Sequence, residues 1–373
     1  MDEKYFGNNG KTSGWNGIKI QMEPNQFSSS KILKHIDRIN EWQKTGFSKP
    51  ITYELDMTNI CNSKCHFCFG FFEQKKYQTS ITFKEAKNII NQIKKFGGRA
   101  VTFTGGGDPL CNKDTINAVK YAKKIGLDVG FITNGILLNK DNIKDIVSNC
   151  VWIRVSLDAA SKETYLKTHC LNSNVFDTVI SNIKLLSKEK KKQKSNITIG
   201  VGFLTYDRTT HEIIEFAKLS SKLGVDYAQY RPLLKKHTEK EFNIKAQDNI
   251  INNIKIATRY SNKTFSVVSS VHKYNLIALK QYSRQYDVCY GHNFATVIAA
   301  DQKMYLCCHM RGLKKYCLGD LKKNTLKEIW YSKQREKVYK NINFKDCPLL
   351  CRCDSFNTIL FDMNKPVQHK NFL

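Results

Sequence analysis

The sequence predicts an α/β fold built on a parallel sheet, followed by a compact cysteine-rich segment. Two observations predict the first part. Strand-like and helix-like stretches alternate six times within residues 51–232, and no internal repeat or low-complexity tract interrupts them. A third observation predicts the second part. Of thirteen cysteines, three stand together near the front (Cys61, Cys65 and Cys68) and seven lie between Cys289 and Cys353.

Taken in order, residues 1–50 read as an N-terminal extension of loop and one helix. Ser30 suits its cap, and Ile32, Ile36 and Ile39 recur at roughly helical spacing. Strands are then expected at Ile51 to Met57, Ala100 to Thr104, Asp128 to Thr133, Val151 to Ser156, Ile197 to Leu204 and Tyr227 to Arg231. Helices between them are expected at Phe83 to Phe96, Asp114 to Lys124, Lys140 to Val147, Phe176 to Lys188 and His211 to Leu223. The spacing suits a doubly wound sheet or an incomplete barrel, and periodicity alone does not choose. Residues 233–285 are polar and lysine-rich, with helical stretches such as Asn249 to Tyr260, and read as a helical bridge. Residues 286–360 form the cysteine-rich segment. It has a hairpin from Phe294 to Cys307 turning at Asp301 and Gln302, and a helix from Thr325 to Tyr339. Residues 361–373 read as a tail.

Composition narrows the function. The chain has 373 residues, too many for one small core. No apolar run reaches the 18 or so residues that a membrane span needs, and Met1 to Gly10 lacks the apolar centre of a signal peptide. The protein therefore reads as cytoplasmic, and its cysteines as metal or redox groups rather than disulfides. The formal charge of +27 admits an anionic partner such as RNA, a nucleotide-linked sugar or a phosphorylated molecule. The lysines are dispersed, and their densest run, Lys188 to Lys194, reads as a helix end and loop, which favours ordinary solvated faces.

The run Cys61-Asn-Ser-Lys-Cys65-His-Phe-Cys68 follows directly on the first strand, where parallel αβ barrels place their chemistry. Thiolates select iron–sulfur clusters or zinc. A structural zinc site wants four ligands, and the nearby His66 lies directly between two of the cysteines. Three thiolates without a fourth leave one metal position open to a cofactor or substrate. At the end of the second strand, Gly105-Gly106-Gly107-Asp108-Pro109 lets backbone approach a ligand closely.

These two motifs resemble the radical S-adenosylmethionine (radical SAM) superfamily, and the resemblance extends over residues 50–360. It implies a partial (β/α)6 TIM-like barrel over residues 51–232. It implies that Cys61, Cys65 and Cys68 hold a [4Fe-4S] cluster whose open iron chelates SAM, with Phe67 near the adenine. It places the backbone of Gly105, Gly106 and Gly107 at the SAM amino group. Asp108, which stands where the family usually has glutamate, is expected at the cofactor with them. Asn134 and Ser156, at the third and fourth strand ends, are expected around the SAM ribose and carboxylate, although Asn134, Ser156 and Asp158 equally suit caps and turns. Gln229 and Arg231 on the sixth strand are expected to face substrate or SAM.

The late cysteines, with Leu318-Gly-Asp-Leu321 and Leu326-Lys-Glu-Ile-Trp330, resemble the auxiliary-cluster extensions called SPASM (two clusters) and Twitch (one). The full two-cluster pattern is not found, and Gln302 stands where it usually has glycine. One auxiliary [4Fe-4S] cluster is therefore expected on Cys289, Cys307, Cys347 and either Cys351 or Cys353. Cys308 and Cys317 are spare, and Cys111, Cys150 and Cys170 read as free thiols.

The resemblance implies reductive cleavage of SAM and hydrogen abstraction from carbon, fed by an electron donor such as flavodoxin or ferredoxin. The expected reaction is a net oxidation of a small polar substrate, a sugar or aminocyclitol, assisted by the auxiliary cluster. A peptide-modifying maturase is the alternative, lowered by the fifty residues ahead of the barrel, fewer than a leader-binding domain needs. An RNA-modifying enzyme and a non-catalytic iron–sulfur protein stand behind these.

Overall fold

The computed structural model describes residues 26–65, 67–68, 78–171, 174–233, 244–270, 273–274, 284–348, 350–369 and 371. His66, weighed above as a zinc ligand, the first 25 residues of the extension, parts of the bridge and the end of the tail lie outside these described residues.

Six strands carry the barrel: β1 (Thr52–Asp56), β2 (Ala100–Thr104), β3 (Asp128–Thr133), β4 (Trp152–Ser156), β5 (Thr198–Thr205) and β6 (Tyr227–Pro232). Each pairs in parallel with the next. Their residues alternate between two faces. On β1, Tyr53 and Leu55 are fully buried in the main apolar core, while Glu54 and Asp56 point to the other, inner face and pair with arginines.

The outer face is covered by α2 (Phe83–Lys95), α3 (Thr115–Lys124), α4 (Lys140–Asn149), α6 (Asn174–Gln193), α7 (Ile213–Leu223) and α8 (Ile244–Ala257), each touching the next. Their ends are written locally. Thr82 and Glu85 form a reciprocal capping box on α2, and Ala86, Ile89, Ile90 and Ile93 give it one buried stripe. Asn139 and Asn142 do the same for α4. No described helix is long and apolar enough to cross a membrane.

Four differences from the expected elements matter. The bridge is not purely helical: β7 (Ser266–Ser269) pairs in parallel with β6, and its four residues are too few to show a period. The cysteine-rich segment is not a separate layer. Its strand β8 (Ala295–Ile298) pairs in parallel with β1, before turning through Gln302, at φ +64°, into antiparallel β9 (Lys303–Tyr305) and β10 (Cys317–Asp320). Among the described residues the result is one ten-stranded sheet. The single helix expected from Thr325 to Tyr339 breaks into α9 (Leu326–Trp330) and α10 (Lys333–Lys340), because Ser332 caps a new start by accepting from Arg335 N–H. The segment does not stop at residue 360, since α11 (Asp354–Asn364) carries its last turn into the expected tail.

The described part of the N-terminal extension packs on the same body. Trp42 of α1 (Ile36–Thr45) packs with Phe294 and Leu360 in a second apolar cluster. Phe27 meets the ring of Tyr227 edge-on at 4.9 Å.

Candidate metal and cofactor centres

The loop that leaves β1 is fixed by its neighbours before any ligand is considered. Asn112 donates to the carbonyls of Met57 (2.7 Å) and Ile81 (2.8 Å). Gly107 N–H donates to Thr58 O and Asp108 N–H to Ile60 O, both at 3.1 Å. A β-carbon on Gly107 would lie 1.9 Å from the Ile60 carbonyl oxygen. The glycine run thus packs flat against the cysteine loop, which no side chain would permit.

Cys61, Cys65 and Cys68 are part-exposed on this loop, and none is in a disulfide. Burial pushes the Cys65 thiol up to about 12; the Ser63 hydroxyl, 3.0 Å away, pulls it back, and Asp158, Cys68 and Cys61 push it further. The three thiols are therefore electrostatic neighbours.

A short helix that the sequence reading missed, α5 (Lys162–His169), holds the loop from the side. The His169 carbonyl accepts from Lys64 N–H and the Ser63 hydroxyl, each at 3.3 Å. The His169 ring stacks on Tyr165 at 4.0 Å and meets Phe67 edge-on at 5.7 Å. Eight residues with little amphipathic character leave only the Ser161 cap as a signal.

The other expected residues divide by role. Asp108 is buried, and its carboxylate accepts from Leu110 N–H (2.9 Å), the Thr133 hydroxyl (2.8 Å) and Asn134 N–H (2.7 Å). It ties the glycine run to the end of β3. Asn134 presents its side chain to the cysteine loop, donating to Asn62 Oδ1 at 2.7 Å with its Nδ2 4.0 Å from Cys61 Sγ. Ser156, Gln229 and Arg231 line the inner face of the sheet. Arg154 joins them, donating to Gln229 Oε1 at 3.1 Å. It was missed, although an arginine between Ile153 and Val155 in a parallel strand is itself a signal. Cys111 was read as a free thiol. It lies beside Cys61 and Asp108 and receives the Asn62 N–H, with burial pushing it up to about 11.

Near the triad, Tyr165 Oη and Asn62 Nδ2 are buried without a hydrogen-bond partner among the described residues. Tyr165 is an electrostatic neighbour of Cys65, Asp158, Asp108 and Cys61. Orphaned polar atoms beside three thiols fit a polar ligand seated on a thiolate-bound centre.

The second group closes on itself. Cys289, Cys307, Cys347, Cys351 and Cys353 line one cavity, walled by apolar residues including Leu306, Met310 and Phe344. Burial pushes Cys289 up to about 11 and Cys347 to about 12, and raises Cys307 further. Cys351 shares a hydrogen bond with Cys353, which holds its thiol below the usual value. Cys308 is a neighbour of Cys307 and Cys351 outside this lining. Cys317 lies apart on β10, against Lys303 and Asp301.

A structural zinc ion wants four ligands on one metal, whereas an iron–sulfur cluster takes each thiolate on a separate iron. An all-thiol donor set of three on one loop and five around one cavity suits clusters.

Ion pairs on the buried carboxylates of β1 connect the two regions. Arg311, three residues after Cys308, reaches Glu54 at 2.8 Å and Asp56 at 2.7 Å, and Arg352, between Cys351 and Cys353, also pairs with Glu54. Burial raises the Asp56 carboxyl to about 7, and Arg311 opposes that rise.

Known proteins share the sequence pattern and the fold. The Radical SAM superfamily matches residues 55–220, and an iron–sulfur cluster-binding domain, SPASM, matches residues 289–354. A probable GTP 3',8-cyclase of Saccharolobus islandicus is 31% identical over 183 residues, 48% of this chain and 56% of that protein. A GTP 3',8-cyclase of Synechocystis is 29% identical over 171 residues, 44% of this chain and 49% of that protein. The chain thus spans about half the length of these curated relatives. Among solved structures, Streptococcus suis SuiB bound to precursor peptide SuiA has a TM-score of 0.64 at 14% identity, covering 89% of this chain and 75% of that one. Native anSMEcpe with bound AdoMet has a TM-score of 0.60 at 16% identity, covering 83% and 95%. These likenesses show the fold. With three thiols on the loop after β1 and a five-thiol cavity drawn from both sides of β8, the chain belongs to the radical SAM superfamily, binds SAM on a [4Fe-4S] cluster, and carries a C-terminal SPASM iron–sulfur domain.

Proposed function

We propose that this chain cleaves SAM reductively and abstracts a hydrogen atom from carbon in a small polar substrate, of the sugar or aminocyclitol kind, in a net oxidation. One observation carries the reading: three thiols and a backbone-presenting glycine run meet at the ends of β1 and β2, beside an inner wall bearing Arg154, Ser156, Gln229 and Arg231. When bound, the first cluster with SAM supplies one-electron cleavage to a 5′-deoxyadenosyl radical, and the auxiliary cluster supplies an electron acceptor.

The residues of the chain do the rest. Cys61, Cys65 and Cys68 hold the first cluster. The Gly105–Gly107 backbone, Asn134, Ser156 and Phe67 orient SAM. Asp108 fixes both the glycine run and Asn134 from behind. Four cysteines of the second cavity, Cys289, Cys307, Cys347 and either Cys351 or Cys353, hold the auxiliary cluster. The rings of Trp152 and Tyr227 occupy the space that Gly130 and Gly200 leave on the neighbouring strands. A flavodoxin or ferredoxin supplies the electron, and the cytoplasm is the setting that keeps such thiols reduced.

A peptide substrate is the second reading. It is supported by the likeness to SuiB, solved with its precursor peptide, over 89% of this chain. The curated relatives, named for a cyclase acting on GTP, support a small molecule instead.

The test is anaerobic reconstitution with iron and sulfide, then dithionite and SAM, with 5′-deoxyadenosine and methionine followed by mass spectrometry. Release of both is expected. A protein with its cluster absorbance intact that releases neither overturns the reading.

A further inference from the structure

Inside the barrel, two guanidinium groups face one carboxylate. Arg154 comes from β4 and Arg231 from β6, and both reach over β5 where Gly202 leaves room. A β-carbon there would lie 3.4 Å from Arg231 Nη2 and 3.6 Å from Arg154 Cδ. Arg154 donates to Gln229 Oε1. The Nε of each arginine is buried without a partner among the described residues. The carboxylate, Asp158, already accepts from Leu204 N–H at 2.7 Å.

Two fixed cations within reach of each other are costly unless something anionic completes them. Burial lowers Arg231 to about 10, with Arg154 pushing the same way and Asp158 opposing. Lys273 adds a third cation. It is an electrostatic neighbour of Arg231 on one side and of Cys351 and Cys353 on the other. Tyr274, next in sequence, anchors it by sharing a hydrogen bond with the Thr205 hydroxyl at 2.7 Å. The excess positive charge therefore extends from the inner wall toward the second cysteine cavity, away from the glycine run at Gly105–Gly107.

We infer that Arg154, Arg231 and Gln229, with Lys273 at the rim, form a subsite for an anionic group of the substrate, a carboxylate or phosphate. This rests on the radical reading above and adds the substrate's charge to it. Planar guanidinium forks suit both groups bidentately. An anion clamped here would hold the substrate between the two cysteine centres.

The test uses the fully reconstituted protein saturated with SAM, titrated calorimetrically with inorganic phosphate and, separately, malonate. At least one is expected to bind once per chain without displacing SAM. R154Q and R231Q should each weaken it at least tenfold and R231K less, whereas K218Q, on the outer surface, should not change it. Circular dichroism and iron content establish that each variant is folded and loaded. Binding of neither anion, affinity in R154Q and R231Q unchanged from the unaltered protein, or competition between the anion and SAM in the unaltered protein overturns the inference. Competition would assign the pair to the SAM carboxylate. Release of 5′-deoxyadenosine is scored separately. Its failure with anion binding intact breaks the reaction assigned above and leaves the subsite standing.

Discussion

The two cysteine regions solve opposite problems with the same side chain. The first holds three part-exposed thiols on a loop tied down by backbone hydrogen bonds from the glycine run and from α5. The second gathers five thiols, four of them part-exposed as well, around a cavity walled by leucine, methionine and phenylalanine. Three thiols leave room for a cofactor at the metal. Five thiols around one cavity are enough to close the ligand set of a cluster. The difference is one of ligand number, and on the proposed reading it gives the two regions different work despite their shared chemistry.

Substitutions can break or sharpen that contrast. The largest effect is expected at the open site. C65A should abolish 5′-deoxyadenosine release and remove about four irons per chain, while iron in the second region stays; loss of all iron would mean that the two regions do not load independently. Next is G107A, whose β-carbon would drive into Ile60 O. It should lower the rate of SAM cleavage by at least ~100-fold, the scale of a misplacement near 1 Å, with iron content unchanged. C307A should remove about four irons from the closed region yet leave SAM cleavage measurable by the same assay.

Two smaller effects probe the connection between the regions. R311M strips the buried partner from Glu54 and Asp56 and should cost about 3–5 kcal/mol in urea unfolding. R352M removes a side chain that is 42% exposed from the same Glu54 and should cost no more than about 1 kcal/mol. Equal losses would show that the inner face of β1 is wetter than its burial implies.

Much of this was legible in the sequence, for physical reasons. The stretches Ala100 to Thr104 and Asp128 to Thr133 are β-branched and aromatic runs bounded by turn residues, and the observed strands match them residue for residue. Cysteine clustering marked both groups, and the structure keeps Cys61, Cys65 and Cys68 on one loop and brings Cys289, Cys307, Cys347, Cys351 and Cys353 around one cavity.

What was illegible depends on distant partners. Strand β7 is four residues long and exists because β6 offers it an edge. The parallel pairing of β8 with β1, which brings the second region beside the first, joins residues more than two hundred positions apart. The inward reach of Arg154 to Gln229 follows from Gly202 on the strand between them, which no local pattern reveals. Both Cys351 and Cys353 line the cavity, so the structure keeps the choice the spacing left open.

The central claim is that SAM reaches only the open site, and electron paramagnetic resonance of the dithionite-reduced protein tests it most directly. Adding SAM should change the cluster signal in the unaltered protein and in C307A, and leave the signal of C65A untouched. A SAM-dependent change in C65A would contradict the account, because it would place the open iron in the five-cysteine cavity.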